Sequence, residues 1–121
     1  MNCYVNSLYI CVKNMERAIQ FYEAFFEQPV TQRDRLYSVF DIHGFRYGLF
    51  AYQLVNEEHV FGSNCLPSIS VDRIEILQEK IKDKEICFPL TKIGDNWVVE
   101  IVDSEGNHIE MTAPLKENDK I

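Results

Sequence analysis

The sequence lacks an excess of basic residues, because 12 lysines and arginines stand against 19 aspartates and glutamates for a net charge of -7. Nucleic acids and anionic membranes need a basic protein surface, so neither is expected as a partner. The sequence also has no long apolar run, and we expect no N-terminal leader, since residues 1–5 lead directly into a strand-like segment. We therefore expect a cytoplasmic protein whose partner is a small molecule or another protein.

Closely spaced cysteine pairs are absent as well, which excludes a zinc knuckle and a thioredoxin-type motif. The chain of 121 residues is 46% hydrophobic, enough to build one core without cross-links. A disulfide framework is not expected in such a cytoplasmic chain. The sequence thus predicts reduced, buried thiols at Cys3, Cys11, Cys65 and Cys87.

An order of predicted elements occurs twice along the chain. In the first copy, residues 8–12 alternate as in a strand, and Asn14 is a good N-cap for a helix with apolar residues at helical spacing to Phe25. Further β-prone segments follow at residues 30–34, 36–42 and 45–51, the last two joined at His43 and Gly44. The pattern predicts a βαβββ module.

The second copy starts with a short strand at residues 67–71, and Asp72 with Glu75 resembles a capping box at the start of a helix. Strands are predicted at residues 86–88, 97–102 and 108–112, with a tight polar turn at 103–107. The chain therefore reads as one α+β domain of two tandem βαβββ modules. Its parts are module one (1–52), a linker (53–65), module two (66–115) and a tail (116–121).

Strand alternation indicates which side chains share a face of each sheet. Leu8, Ile10 and Val12 are expected beneath the first helix, which leaves Ser7, Tyr9 and Cys11 on the opposite face. In module two the uncovered face should carry Leu66, Ser68 and Ser70. Helices cover only one face, so two such sheets side by side would form a cup-shaped mixed sheet with the helices outside, a suitable place for a small ligand.

Residues 12–22, 25–29 and 103–111 resemble the two hallmark segments of the vicinal oxygen chelate superfamily, the glyoxalase, bleomycin-resistance and extradiol-dioxygenase group. The resemblance covers nearly the whole chain and implies its fold. Enzymes of the family bind a divalent metal on the cup faces, and the equivalent positions here are Ser7, Leu66, Glu110 and a residue near Gly48 or Leu49. Of these, Glu110 alone is an anionic ligand, so the resemblance implies the metal-free branch, which acts by sequestration.

The leading prediction is a metal-independent protein that binds a small molecule and needs no cofactor. Glu110 is the candidate for a catalytic or charge-pairing role, and Ser7, Leu66 and His108 are expected to contact the ligand. Aromatic residues are the predicted walls, although each also fits ordinary core packing. These aromatic residues are Tyr9, Phe40, Tyr47, Tyr52 and Trp97.

The alternative prediction is a metal-dependent lyase, isomerase or dioxygenase. Its divalent metal would be held by Glu110, by His108 two residues away on the same strand face, and by His59 if the linker folds over the cup. His43 lies in a turn and is expected to be exposed. A third possibility is that the uncovered face only mediates protein association, and the family resemblance also implies a homodimer.

Overall fold

The structure is a computed structural model and describes residues 1–3, 5–59, 61–62 and 65–119. The chain divides into two compact units, residues 1–60 and 61–121, and the division falls inside the predicted linker. Each unit combines one sheet of mixed strands with one α-helix, so the α+β class is confirmed. Within the described ranges, no helix is both long and apolar enough to span a membrane. Position 4 of predicted module one, linker positions 60, 63 and 64, and tail positions 120–121 lie outside the described residues.

The first unit contains a three-stranded sheet in the order β1-β3-β2. Strand β1 is parallel to β3, and β2 is antiparallel to β3. The predicted turn at His43 and Gly44 joins β2 to β3, and both residues have positive φ angles, as a two-residue hairpin turn requires. The elements are β1 (Ser7–Cys11), α1 (Met15–Phe26), β2 (Tyr37–Ile42), β3 (Phe45–Phe50) and a 3-10 helix (Tyr52–Val55).

Helix α1 begins where the sequence predicts. The Asn14 side chain accepts a hydrogen bond from the Arg17 amide at 3.0 Å, which satisfies one of the free amides of the first turn. The helix ends at Glu27, whose φ of 57° reverses the chain.

An aromatic core lies between α1 and the sheet. The Tyr47 hydroxyl donates to that of Tyr22 at 3.2 Å, and the ring centroids of Phe26 and Phe40 are 5.6 Å apart. Phe40 is fully buried and Tyr47 is 3% exposed. The prediction that Phe40 and Tyr47 line the uncovered face is therefore wrong, because strand alternation turns both side chains toward α1.

The predicted strand at residues 30–34 is reduced to an isolated bridge between Gln32 and Val39. Both the Thr31 and Gln32 amides donate to the Val39 carbonyl, so the usual ladder spacing is lost. Two residues later the Asp34 carboxylate accepts hydrogen bonds from the Leu36 and Tyr37 amides and turns the chain into β2. The first unit is thus βαββ with a bridge in place of the other strand.

The second unit contains a four-stranded sheet in the order β4-β7-β6-β5. As in the first unit, the strand before the helix pairs in parallel with the last strand of the unit, and the remaining pairs are antiparallel. Beneath α2 lie buried apolar side chains of β6 and β7, including Val99, Ile109 and Met111. The elements are β4 (Ser68–Ser70), α2 (Ile74–Ile81), β5 (Ile86–Ile93), β6 (Asn96–Val102), β7 (His108–Pro114) and a 3-10 helix (Glu117–Asp119).

Helix α2 starts differently from the prediction. Its N-cap is Arg73, without a side-chain cap bond, and Glu75 pairs with Lys116 instead of reaching back to Asp72. The predicted capping box is therefore wrong, because a lysine from beyond β7 takes the Glu75 carboxylate. This ion pair also connects the start of the predicted tail, at Lys116, to helix α2.

The polar turn between β6 and β7 is confirmed, but it is buried rather than solvated. The Asp103 carboxylate accepts hydrogen bonds from the Glu105 and Asn107 amides at 2.8 Å each and from the Asn107 side chain at 3.2 Å. Gly106 supplies the positive φ of 94° that closes the loop. Asp103 is 6% exposed, so the turn is a small hydrogen-bonded core of its own.

Candidate functional site

The uncovered face of the first sheet has an apolar end and a polar end. Directly paired residues share a face of the sheet. The uncovered face therefore carries Ser7, Tyr9 and Cys11 of β1, then every second residue of β3, then every second residue of β2. The polar row contains Ser7, Arg46 and Asp41. The middle row contains Tyr9, Gly48 and Val39, and the apolar row contains Cys11, Phe50 and Tyr37.

Three rings on this face, Tyr9, Tyr37 and Phe50, form what we call the aromatic surface. Tyr37 stacks on Phe50 with centroids 4.9 Å apart and planes 13° apart, and its edge meets Tyr9 at 5.4 Å. Tyr9 remains 40% exposed and Tyr37 44% exposed. Exposed rings already held in place by one another are a suitable platform for a flat ligand.

Gly48 lies beneath the ring of Tyr9. A Cβ atom at this position would lie 2.3 Å from Cδ1 of Tyr9, closer than real carbon atoms approach. The φ angle of Gly48 is not positive, so the glycine is required for space rather than for a turn. The ring therefore occupies the place where any side chain from position 48 would stand.

The polar end of the same face carries opposite charges. Arg46 is paired directly with Asp41 across β2 and β3, and the Asp41 carboxylate accepts a hydrogen bond from the Gly44 amide at 2.8 Å. Among the described residues, the buried Nε of Arg46 has no hydrogen-bond partner. A guanidinium with an unsatisfied donor is suited to an acidic group on a ligand.

The uncovered face of the second sheet is richer in donor atoms. Glu110 is paired with Ser68 on one side and with Glu100 on the other, and its Oε1 accepts a hydrogen bond from the Ser68 hydroxyl at 2.6 Å. One row further, the hydroxyls of Ser70 and Thr112 are 2.9 Å apart. The predicted placement of Ser68 and Ser70 on this face is thus confirmed.

A thiol, a carboxylate and an imidazole meet at the other end of this face. One ligand atom each from Cys87, Glu100 and His108 lies within 4.8 Å of the other two. Desolvation and then the charge of Glu100 raise the pKa of the Cys87 thiol above its ordinary value of 9.0. Cys87 is exposed, whereas Glu100 and His108 are half-buried.

Several predicted site residues lie elsewhere. Trp97 pairs with Ala113 on the face that carries Met111, opposite to Glu110, and Lys92 Nζ lies 5.2 Å from its ring centroid. Tyr52 is buried in the 3-10 helix after β3. Trp97 is thus wrong as a wall of the uncovered face, because parity turns it away, whereas the role of Tyr52 as a wall stays a prediction.

The remaining predictions are placed as follows. His59 is half-buried and lies 5.9 Å from the Tyr52 ring, within the first unit. Leu66 is 38% exposed just before β4, and Ser7 is half-buried on β1. His108 and Glu110 share a strand face as predicted. The combination of Glu110, His108 and His59 as metal ligands stays a prediction.

The sequence analysis missed Tyr37, Phe50, Glu100 and Cys87. Strand alternation in module one could have identified Tyr37 and Phe50. Both residues alternate with the buried residues of β2 and β3, which places them on the uncovered face. Cys87 gave no such signal, because the register of β5 shifts between Ile86 and Phe88. The predicted burial of the cysteines is wrong for Cys3, Cys65 and Cys87, which are exposed, while Cys11 is half-buried and none of these four described cysteines forms a disulfide.

A cleft of about 560 Å³ opens at the end of β1 and β3, lined by residues of the turn into α1 and of the 33–35 loop. Three of its charged groups already have partners, because Arg33 donates to both Glu16 oxygens at 2.6 and 2.7 Å and the Asp34 carboxylate accepts hydrogen bonds from backbone amides. These three side chains therefore offer little free charge to a ligand.

No family model matches the chain, and no curated protein does so. Solved structures do. A glyoxalase/bleomycin resistance protein/dioxygenase from Nocardioides is 15% identical, with a TM-score of 0.73 over 97% of this chain and 87% of the other. A glyoxalase-related enzyme from Fulvimarina pelagi is 12% identical, with a TM-score of 0.74 over 94% and 93%. Lactoylglutathione lyase from Agrobacterium tumefaciens is 12% identical, with a TM-score of 0.73 over 93% and 94%.

The chain has the vicinal oxygen chelate fold. At these identities the similarity establishes the fold and no activity. The donor set at the family's metal positions does not fit a metal, however. Leu66 has no donor atom, Gly48 is covered by the Tyr9 ring, and Ser7 offers a neutral hydroxyl. Glu110 alone remains, and Ser68 already donates to it.

Proposed function

We propose that this vicinal oxygen chelate protein binds a small planar molecule on the aromatic surface of its first unit, without a metal at the family positions. Binding of this kind resembles sequestration by the bleomycin-resistance branch more than turnover by the enzymes. The observation that carries the proposal is the pair of Gly48 and Tyr9. The glycine removes a possible ligand side chain and makes room for a ring on the uncovered face.

The aromatic surface supports recognition by stacking. Tyr9 and Tyr37 are held edge to face, and Tyr37 stacks on Phe50 of the neighbouring strand, so little side-chain freedom is lost when a flat ligand arrives. Each aromatic pair contributes about 0.5–1.5 kcal/mol beyond the area that it buries. Arg46 at the polar end of the face would select ligands that carry an acidic group.

The test is calorimetric titration of planar aromatic acids into the protein in the presence of a chelator. Tyr37→Ala should weaken binding about fivefold, since one stacking contact is worth about 1 kcal/mol. Phe45→Ala is the matched control, because Phe45 is 45% exposed on the opposite face of the same sheet. Equal losses in both variants, or no binding by the wild type, would contradict the proposal.

A second candidate is the metal-dependent enzyme with Glu110 as its anionic ligand. The Ser68 hydroxyl fixes the Glu110 carboxylate at 2.6 Å and His108 shares its face, an arrangement that suits proton or metal chemistry. Glu110→Gln separates the two candidates, because it should leave binding at the first unit unchanged. A loss of turnover in that variant would favour the enzyme.

The proposal includes a cytoplasmic homodimer. Light scattering of the purified protein tests the dimer directly, and a monomer across the micromolar range would remove that part of the proposal.

A further inference from the structure

We propose that Cys87, Glu100 and His108 form a binding site for a divalent transition metal, with Zn²⁺ as the best match to its donors. The site lies in the second unit, goes beyond the proposed function, and uses none of the positions that the family resemblance assigns to metal ligands.

The backbone brings the three donors together from adjacent strands. Cys87 comes from β5, Glu100 from β6 and His108 from β7, and one ligand atom of each lies within 4.8 Å of the others. Donors on one tetrahedral zinc ion are roughly 3.6 Å apart, given metal–ligand bonds of about 2.0–2.3 Å. Small rotations of the side chains close this difference.

The pairing of β5 with β6 places the thiol beside Glu100. The register puts Ile86 opposite Ile101 and Phe88 opposite Glu100, so Cys87 lies at an irregularity between two ladder positions. Such irregularities are frequent beside functional sites. Counted from Ile86, alternation likewise puts Cys87 on the face that carries Glu100.

The donor chemistry favours a borderline ion. A thiolate, an imidazole and a carboxylate are the ligands that zinc accepts, whereas Ca²⁺ and Mg²⁺ prefer oxygen alone. Three protein ligands leave a position for water or for an oxygen of a small molecule. Among the described residues, neither the Glu100 carboxylate nor the His108 ring makes a side-chain hydrogen bond, so no competing contact must break.

The surrounding charge also favours a cation. Glu100 stands directly opposite Glu110, and such like-charged pairs destabilise a sheet. Binding replaces the thiol proton, since Zn²⁺ and the neutral cysteine give the zinc thiolate and one released proton.

The first experiment titrates Zn²⁺ into metal-free protein against a chromophoric chelator. We expect one ion per chain, with one proton released in weakly buffered solution. Cys87→Ser and His108→Asn should each weaken Zn²⁺ binding by at least roughly 10- to 100-fold. Loss of a residue that only supports a metal ligand already costs this much, and these variants remove a ligand itself. Cys65→Ser and His43→Asn are matched controls, because both residues are exposed and lie outside the cluster.

The second experiment does not depend on variants and so remains decisive if one of them fails to fold. Iodoacetamide should label Cys87 faster without metal than with Zn²⁺, whereas exposed Cys65 should react at the same rate in both states, as peptide mass spectrometry would report. Cobalt added in place of zinc should give a thiolate charge-transfer band in the near ultraviolet. Undiminished Zn²⁺ binding by Cys87→Ser, or no protection of Cys87, would overturn the proposal.

Discussion

The two units fold by the same plan but present different chemistry on their uncovered faces. In each sheet the strand before the helix pairs in parallel with the last strand of the unit. The first face carries the aromatic surface, with Arg46 at its edge. On the second face are Glu100, Glu110, His108 and the thiol of Cys87.

This difference shows how little of the surface chemistry the fold decides. Alternation requires apolar residues only on the side that packs beneath the helix, so the other side is free to vary. The uncovered face of the first unit carries aromatic rings, and that of the second unit carries atoms that can bind a metal. Function must therefore be inferred for each face separately.

The largest predicted difference concerns the turns before the last strand of each unit. Asp103→Ala should lower the free energy of unfolding by about 3 kcal/mol, because it leaves buried amides of Glu105 and Asn107 without an acceptor. In the first unit, Gly44→Ala should cost only about 1 kcal/mol, the strain of a positive φ in an exposed turn. Urea denaturation measures both, and equal costs would contradict the distinction between a buried and an exposed turn.

The second prediction concerns close contacts between the parallel strands of each sheet. Gly48→Ala should cost about 2 kcal/mol, because the added methyl displaces the Tyr9 ring. Tyr9→Ala in the same chain should recover part of this cost, and a double-mutant cycle measures the recovery. Ser70→Ala in the second sheet should cost about 1 kcal/mol or less, since it removes one exposed hydrogen bond. Additive effects at positions 9 and 48 would show that the ring does not need the glycine.

The third prediction uses the opposite signs of two cross-strand charge pairs. Glu100→Gln should stabilise the metal-free protein by about 0.5 kcal/mol, because it removes the repulsion from Glu110. Asp41→Asn in the first unit should destabilise by a similar amount, because it removes the attraction to Arg46. Thermal unfolding at low salt measures both changes. Destabilisation by Glu100→Gln without metal would indicate a favourable contact of that carboxylate.

The architecture followed closely from the sequence, as the N-cap at Asn14, the His43–Gly44 turn and the polar turn at 103–107 show. Propensity rules suffice there, because each feature depends on neighbouring residues. The prediction of a capping box at Asp72 and Glu75 failed because the Glu75 carboxylate forms an ion pair with Lys116, which is distant in sequence. The prediction of a strand at residues 30–34 failed because two successive amides donate to the same carbonyl, that of Val39, and the regular ladder is lost.

The candidate sites were less predictable. Tyr9 and Glu110 could be placed by parity, but Phe40, Tyr47 and Trp97 were assigned to a wall although parity puts them on the helix side. The Cys87 cluster depends on how β5 pairs with β6, and this pairing register leaves no mark in a hydrophobic pattern.

The smallest predicted effect is the pH dependence conferred by Asp34. Amide hydrogen bonds, first from Tyr37 and then from Leu36, hold the pKa of its carboxyl below the ordinary value of 3.8. A depressed folded pKa stabilises the protein above the unfolded pKa, and this contribution is lost as the pH falls through the folded value. The difference in melting temperature between wild type and Asp34→Asn should therefore be present at neutral pH and shrink below about pH 4. A constant difference down to pH 3 would exclude this carboxylate as the cause.

The most direct test of the account is a residue-resolved NMR titration with a planar aromatic acid, performed first with a chelator and then with one equivalent of Zn²⁺. The account predicts amide shifts around Tyr9, Tyr37 and Phe50 in the chelated sample, while Zn²⁺ alone shifts the amides around Cys87, Glu100 and His108. Ligand shifts that require Zn²⁺, or that appear only on β4–β7, would contradict metal-free binding by the first unit.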